Sequence, residues 1–152
     1  MAKYMKQMQH IVSLYRLAGE PWPAASKAIG EWAIKQRLWE LPESAALARC
    51  AEDISRAMRE EYMTDPKGRR VRVKHPATVK VPGGQMVLWD DMRTASLEHM
   101  RISFQQRRQQ IVGDCRQLKV DVDSYNDQNS ENPPIQMVFD FTMDLAELEA
   151  AA

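Results

Sequence analysis

The sequence lacks the features that mark most function classes. Its two cysteines, Cys50 and Cys115, are too few for a disulfide framework. Neither shares a ligand spacing with His10, His75 or His99, so no zinc site is expected. Both lie in predicted helices and are read as free, buried thiols in a reducing compartment. No apolar run approaches the roughly 20 residues that span a bilayer. No signal-peptide stretch follows Lys3 and Lys6, because Tyr15, Arg16, Gly19 and Glu20 interrupt it. A cytoplasmic protein is the expectation. Also missing are a Gly-rich phosphate loop, a paired-cysteine motif and a Ser-His-Asp ordering. Asp90-Asp91 suits a loop or a helix start better than a cation site. Asp114, Asp121 and Asp123 have no His partner. The expectation is a protein that is not an enzyme and holds neither cofactor nor metal.

Basic residues are absent from the last fifth of the chain. The formal charges cancel overall, 21 basic against 21 acidic in 152 residues. Yet every Lys and Arg lies within residues 1–119, together with 13 acids, giving that stretch +8. Residues 120–152 carry eight acids and stand at −8. A basic body with an acidic tail favours polyanionic partners, which it binds by releasing their counterions. The tail either competes for the same surface or aids solubility. Arg101, Arg107, Arg108 and Arg116 either pair with this tail or extend a face that binds a polyanion such as DNA.

What is present reads as three helices, a hairpin and a long helix. Tyr4, Met8, Ile11, Val12, Tyr15 and Ala18 give a first helix over 3–18, stopped by Gly19. Trp22, between Pro21 and Pro23, is expected to anchor on the core. A second helix spans about 25–37, with Ser26 a possible cap and Gly30 suited to a close helix crossing. A third runs from Glu43 or Ser44 to Tyr62, with Leu47, Ala51, Ile54, Met58 and Tyr62 as its apolar stripe. Asp65-Pro66-Lys67-Gly68 is a turn. Arg70 to Lys74 then alternates with period two, which predicts one strand with Arg70, Arg72 and Lys74 on a shared face. Val79 and Val81 extend it, Pro82-Gly83-Gly84 turns, and Gln85 to Trp89 returns. No acid stands between Asp65 and Asp90.

A long helix is expected from Thr94 or Ser96 to Tyr125. Leu97, Phe104, Ile111, Leu118 and Tyr125 recur every seven residues, a stripe for dimerisation or internal packing. A helix of about 30 residues is about 45 Å long, more than a small domain covers, which favours a homodimer. A polar loop, an apolar segment over 135–141 and a short acidic helix close the chain.

The order of three helices and a hairpin over residues 3–89, with the patch Ser26-Lys27-Ala28-Ile29-Gly30-Glu31-Trp32-Ala33, resembles the winged helix-turn-helix DNA-binding superfamily. The chain as a whole looks like regulators found on phages and mobile elements. The resemblance implies a mainly α, α+β fold with a winged domain over 1–92, a long helix over 93–126 and a loop with acidic tail over 127–152. It implies sequence-specific binding of double-stranded DNA and a role in transcription. The third helix would enter the major groove through Ser44, Ala45, Ala46, Ala48 and Arg49, with Arg49 able to read guanine. The wing would offer Lys67, Arg69, Arg70, Arg72, Lys74, His75 and Lys80. Lys and Arg on a solvated edge strand also guard against aggregation, without any DNA. The competing class is a protein-interaction adaptor on the same fold, favoured by Glu52 and Asp53 on the third helix. Gln136-Met137-Val138-Phe139-Asp140-Phe141 resembles the Gln-led, aromatic-ended peptides that dock on the bacterial sliding clamp, and departs from them at Asp140. Its alternative is an arm that buries Phe139 and Phe141. Gln85 to Trp89 resembles them as well, but a hairpin strand accounts for it.

Overall fold

The computed structural model describes residues 2–152. They form α1 (Ala2–Leu17), α2 (Ser26–Lys35), α3 (Ala45–Arg59), β1 (Tyr62–Thr64), β2 (Arg70–Arg72), β3 (Lys74–Val81), β4 (Gly84–Asp91), α4 (Leu97–Gln128) and α5 (Thr142–Ala151). The fold is mixed α+β, with two antiparallel two-stranded sheets, β1–β2 and β3–β4. The chain divides into two compact units, Met1–Ile54 and Ser55–Ala152, and the division falls inside α3.

In the first unit α1 packs on α2 around Tyr15. Ile11, Tyr15 and Ala33 are its buried apolar residues. The Tyr15 ring meets Trp32 edge-on at 5.5 Å, and its hydroxyl donates to the Pro21 carbonyl at 2.9 Å. Trp22 touches Tyr15 from the loop and carries the Arg16 guanidinium over its ring at 4.5 Å. It stays 46% exposed, so it borders the core instead of anchoring in it. The α2 cap falls on Ala25, which makes no side-chain cap bond, and not on Ser26. α2 ends with Arg37 in the left-handed region (φ 57°) and the Leu38 amide donating to the Ala33 carbonyl, a helix stop that usually uses glycine. Gly30 has open space where a Cβ would stand, so no close crossing requires it. The expected α3 stripe is not buried: Leu47 is 77% exposed and α3 contributes no core residue.

The second unit begins with a hairpin that the expectation merged into its neighbours. α3 stops at Arg59, and Tyr62, Met63 and Thr64 pair with Arg72, Val71 and Arg70. The Asp65–Gly68 turn folds the chain back and draws those residues out of the helix, with Gly68 donating to the Asp65 carbonyl. The single strand expected over 70–74 breaks at Val73. The Val73 amide donates to the Glu61 carbonyl and its carbonyl accepts from Met92, so this buried residue ties both hairpins together. β3 and β4 then pair from Lys74↔Asp91 to Val81↔Gly84. Pro82 and Gly83 (φ 89°) make the turn, a geometry that suits proline followed by glycine.

α4 starts where Ser96 caps it, its hydroxyl accepting from the His99 amide at 3.1 Å. It runs three residues past the expected end. Its first half packs on β3. The Gln106 side chain exchanges two hydrogen bonds with the Thr78 backbone, at 2.8 and 2.9 Å, and so satisfies the free edge of β3. After the loop, residues 135–141 return along α4 as an arm. Asn126 holds the start of the arm by accepting from the Ile135 amide and donating to its carbonyl. Phe139 and Phe141 meet edge-to-face over the groove beside Phe104, Ile111 and Cys115. Both cysteines are free, but Cys50 is exposed and Cys115 only half-buried, which corrects the expected burial.

Backbone strain gives a direct check. Arg37→Gly relieves a left-handed non-glycine residue and raises stability by about 1 kcal/mol, whereas Gly83→Ala imposes such strain and lowers it by about 1–2 kcal/mol. Urea midpoints of the two variants should move in opposite directions.

Candidate nucleic-acid interface

The Val73 junction decides where the cations go. Strict alternation would have put Arg70, Arg72 and Lys74 in one row. With the strand broken, Arg70 and Arg72 belong to β2 and Lys74 opens β3. Arg70 turns diagonally across its hairpin and stacks on Tyr62, 4.1 Å from the ring centre. Arg72 and Lys74 instead line a cavity of about 850 Å³ between the β3–β4 hairpin, the end of α3 and α4. Arg59 of α3 and Arg107 of α4 line it too. Among its described lining residues four cations face one carboxylate, Asp114. Lys74 shares its charge with Glu61 at 2.7 Å. Trp89 and Val87 from β4 give the cavity an apolar wall, and Gln106 and Gln110 add polar groups on α4.

His75 takes a different part from the one expected. It is 4% exposed. Its Nε2–H donates to the Arg72 carbonyl at 2.8 Å, and Phe104 packs against its ring at 5.3 Å. The His75 carbonyl in turn accepts from His99 Nε2–H at 2.9 Å. His75 therefore fixes the backbone that carries Arg72 and Lys74, and it lines the cavity beside them.

The other expected residues separate. Lys67 and Arg69 sit on the β1–β2 turn, where Asp65 organises the backbone. Its carboxylate accepts from the Lys67 and Arg69 amides and pairs with the Arg69 guanidinium at 2.7 Å. Lys80 lies at the far end of β3, beside a shallow groove with Ile102 and Gln105. Ser44 and Arg49 belong to the first unit, both exposed. Arg49 pairs with Asp53 at 3.2 Å on the open helix face. Sequence reasoning offered Arg107 among the α4 cations that could extend a DNA-binding face, but it missed Arg59 and Trp89 and did not join them to Arg107. Arg59 was legible only as an outward residue of a helix, 48 positions from Arg107. No local pattern joins them.

Two carboxylates brace the frame. Asp91 accepts from the side chain and the amide of Arg93, and this pairing holds its carboxyl far below the usual range and raises the Arg93 guanidinium. Hydrogen bonds from the Arg69 amide first, and then its side chain and the Lys67 amide, hold Asp65 below its ordinary value. Among the described residues no group of three or more His, Cys, Asp or Glu is placed to hold a metal ion. No helix is long and apolar enough to cross a membrane. No family model, no curated protein and no solved structure matches the chain.

The depressed carboxylates fix a sign for pH dependence. A carboxyl whose folded pKa is lowered stabilises the fold above its unfolded value, about 3.9 for Asp, and loses that contribution as pH falls toward the folded value. Asp91→Asn should therefore lower the thermal midpoint at pH 7. The deficit against the parent protein should shrink as pH drops below about 3.9. A deficit that is constant with pH would assign the effect to shape and not to charge.

Proposed function

We propose that this chain binds double-stranded DNA as a transcriptional regulator of the winged helix-turn-helix kind. One observation carries the reading: Arg59, Arg72, Lys74 and Arg107 converge on one concave surface lined by one carboxylate, Asp114, with Glu61 paired to Lys74 beside it. Like charges gathered in a cleft focus their field and hold a polyanion by displacing its counterions. Arginine also grips phosphate through two parallel hydrogen bonds. The exposed cations of the β1–β2 turn, Lys67 and Arg69, and Lys80 on β3 add to the positive charge of the second unit. Sequence reading falls to the start of α3, where small residues precede Arg49. Its pair with Asp53 is exposed, worth about 0.2–1 kcal/mol, less than the roughly 1–3 kcal/mol that a bidentate guanine contact discriminates. The order of three helices followed by the β1–β2 and β3–β4 hairpins is compatible with the winged reading, and phage or mobile-element regulators are the class the sequence most resembles.

A second reading has its own observation. Leu47 and Ile54 leave an apolar stripe open on α3, 77% and 53% exposed. That stripe suits a partner protein, and the chain would then be an adaptor that makes no DNA contact.

Anisotropy of a labelled random duplex, titrated at several salt concentrations, separates the two. Binding should weaken steeply with salt. Arg59→Ala with Arg107→Ala should cut affinity about tenfold for every sequence alike and reduce the salt slope by about 0.9 for each phosphate released. An unchanged slope places the contacts elsewhere, and absence of binding at low salt favours the adaptor.

A further inference from the structure

We infer that two copies of this chain pair antiparallel along α4, with the seam running through Phe104, Ile111, Leu118 and Tyr125. This does not depend on the DNA reading.

The chain exposes far more surface than its length requires. Its accessible area is 13,051 Å². Two separate compact domains of the lengths of its two units would expose roughly 9,500 Å². The excess of roughly 3,500 Å² per chain exceeds the roughly 1,000–2,500 Å² that each partner commits to an obligate dimer. Part of the unspent apolar surface lies on α4. Phe104, Ile111, Leu118 and Tyr125 are each 43–53% exposed, although they recur every seven residues on one stripe. The arm borders that stripe on one flank, along Val112, Cys115, Lys119 and Val122. The β3–β4 hairpin closes the other flank over the first half of the helix only, at His99, Ser103 and Gln106. Phe104, packed on His75, and Ile111 also line the grooves on either side, yet like Leu118 and Tyr125 each stays about half exposed.

Charge selects a second copy and its direction. The first two thirds of α4 carry Arg101, Arg107, Arg108, Arg116 and Lys119 against Glu98 and Asp114. The last third carries Asp121, Asp123 and Asp127 and no cation. A parallel pair would set arginine beside arginine and aspartate beside aspartate. An antiparallel pair sets the basic part of each helix beside the acidic end of the other. Matching Ile111 to Leu118 brings Phe104 opposite Tyr125 and, on the flank three residues past each stripe position, Arg107 beside Asp121, with the two-fold axis passing between Asp114 and Cys115. Leu97, the first residue of the spacing, falls outside this register and lies at the start of α4.

The test is a charge swap read by sedimentation equilibrium of the full chain from about 1 to 100 μM. The parent should sediment at twice the 17.5 kDa chain mass. Arg107→Glu or Asp121→Arg alone should weaken association at least about tenfold, because each change enters the symmetric interface twice. The combined variant should restore it. Both side chains are exposed, and circular dichroism of each variant should match the parent. In a Cys50→Ser, Cys115→Ser background, spin labels at Gln128→Cys should lie about 40 Å apart in the antiparallel pair, against about 10 Å in a parallel one. A monomer at 100 μM, a double variant as weak as the single ones, or a short label distance would each overturn the inference.

Discussion

The second unit depends on the two backbone bonds of Val73. Its amide donates to Glu61, in the segment leading into β1, and its carbonyl accepts from Met92, which follows β4. One buried residue thereby joins two small hairpins, neither of which has enough strands to be stable alone. The bend at Val73 also ends the simple alternation of the strand. Arg72 turns toward the same concavity as Lys74, and His75 locks the bend by donating to the Arg72 carbonyl. A buried histidine beside a basic site is here a splint. The positive cavity follows from a packing requirement at a single valine.

α4 serves two surfaces with different chemistry. Arg107 and Gln110 look into the cavity, where a charged ligand competes with Asp114 and with the Glu61 carboxylate paired to Lys74. Gln106 clamps the edge of β3, so the hairpin cannot add a foreign strand there. A few residues along, the same helix offers a seven-residue apolar spacing that the hairpin does not cover. The helix changes sign near its last third, and so does the chain, since no cation follows Lys119. Charge that cancels over the whole sequence is thus separated along one element. That separation gives the helix a direction in any pairing with itself.

Much of the local structure was legible in the residues. The Asp65-Pro66-Lys67-Gly68 and Pro82-Gly83-Gly84 turns, the Ser96 start of α4, the extended arm and the final short helix follow from side chains that act on their own neighbours. The failures share a cause. Tyr62, Met63 and Thr64 continue a helical period, but they pair with β2, a choice set by partners that a local pattern does not contain. Val71 and Val73 look equivalent in an alternating strand, and only the tertiary position of Glu61 and Met92 makes Val73 a break. The α3 stripe is apolar at the right spacing but is left open, so periodicity predicted the helix and not its burial. Of the expected cations, Arg72 and Lys74 reached the cavity, Arg70 was taken by Tyr62, and Arg59 and Arg107 arrived from distant helices. The cationic character of the site was readable, whereas its membership is a property of the fold.

The most direct test is a residue-resolved map of the proposed DNA-binding surface. Amide and indole resonances of the ¹⁵N-labelled chain would be followed while an unlabelled duplex is added. The account predicts that the Trp89 indole and the amides of Arg72, Lys74, Gln106 and Arg107 shift early and together, with the amides of residues 45–53 joining only for a preferred sequence. Shifts confined to α3, or none at all in the second unit, would contradict the claim that the cavity behind Val73 is where this protein meets a polyanion.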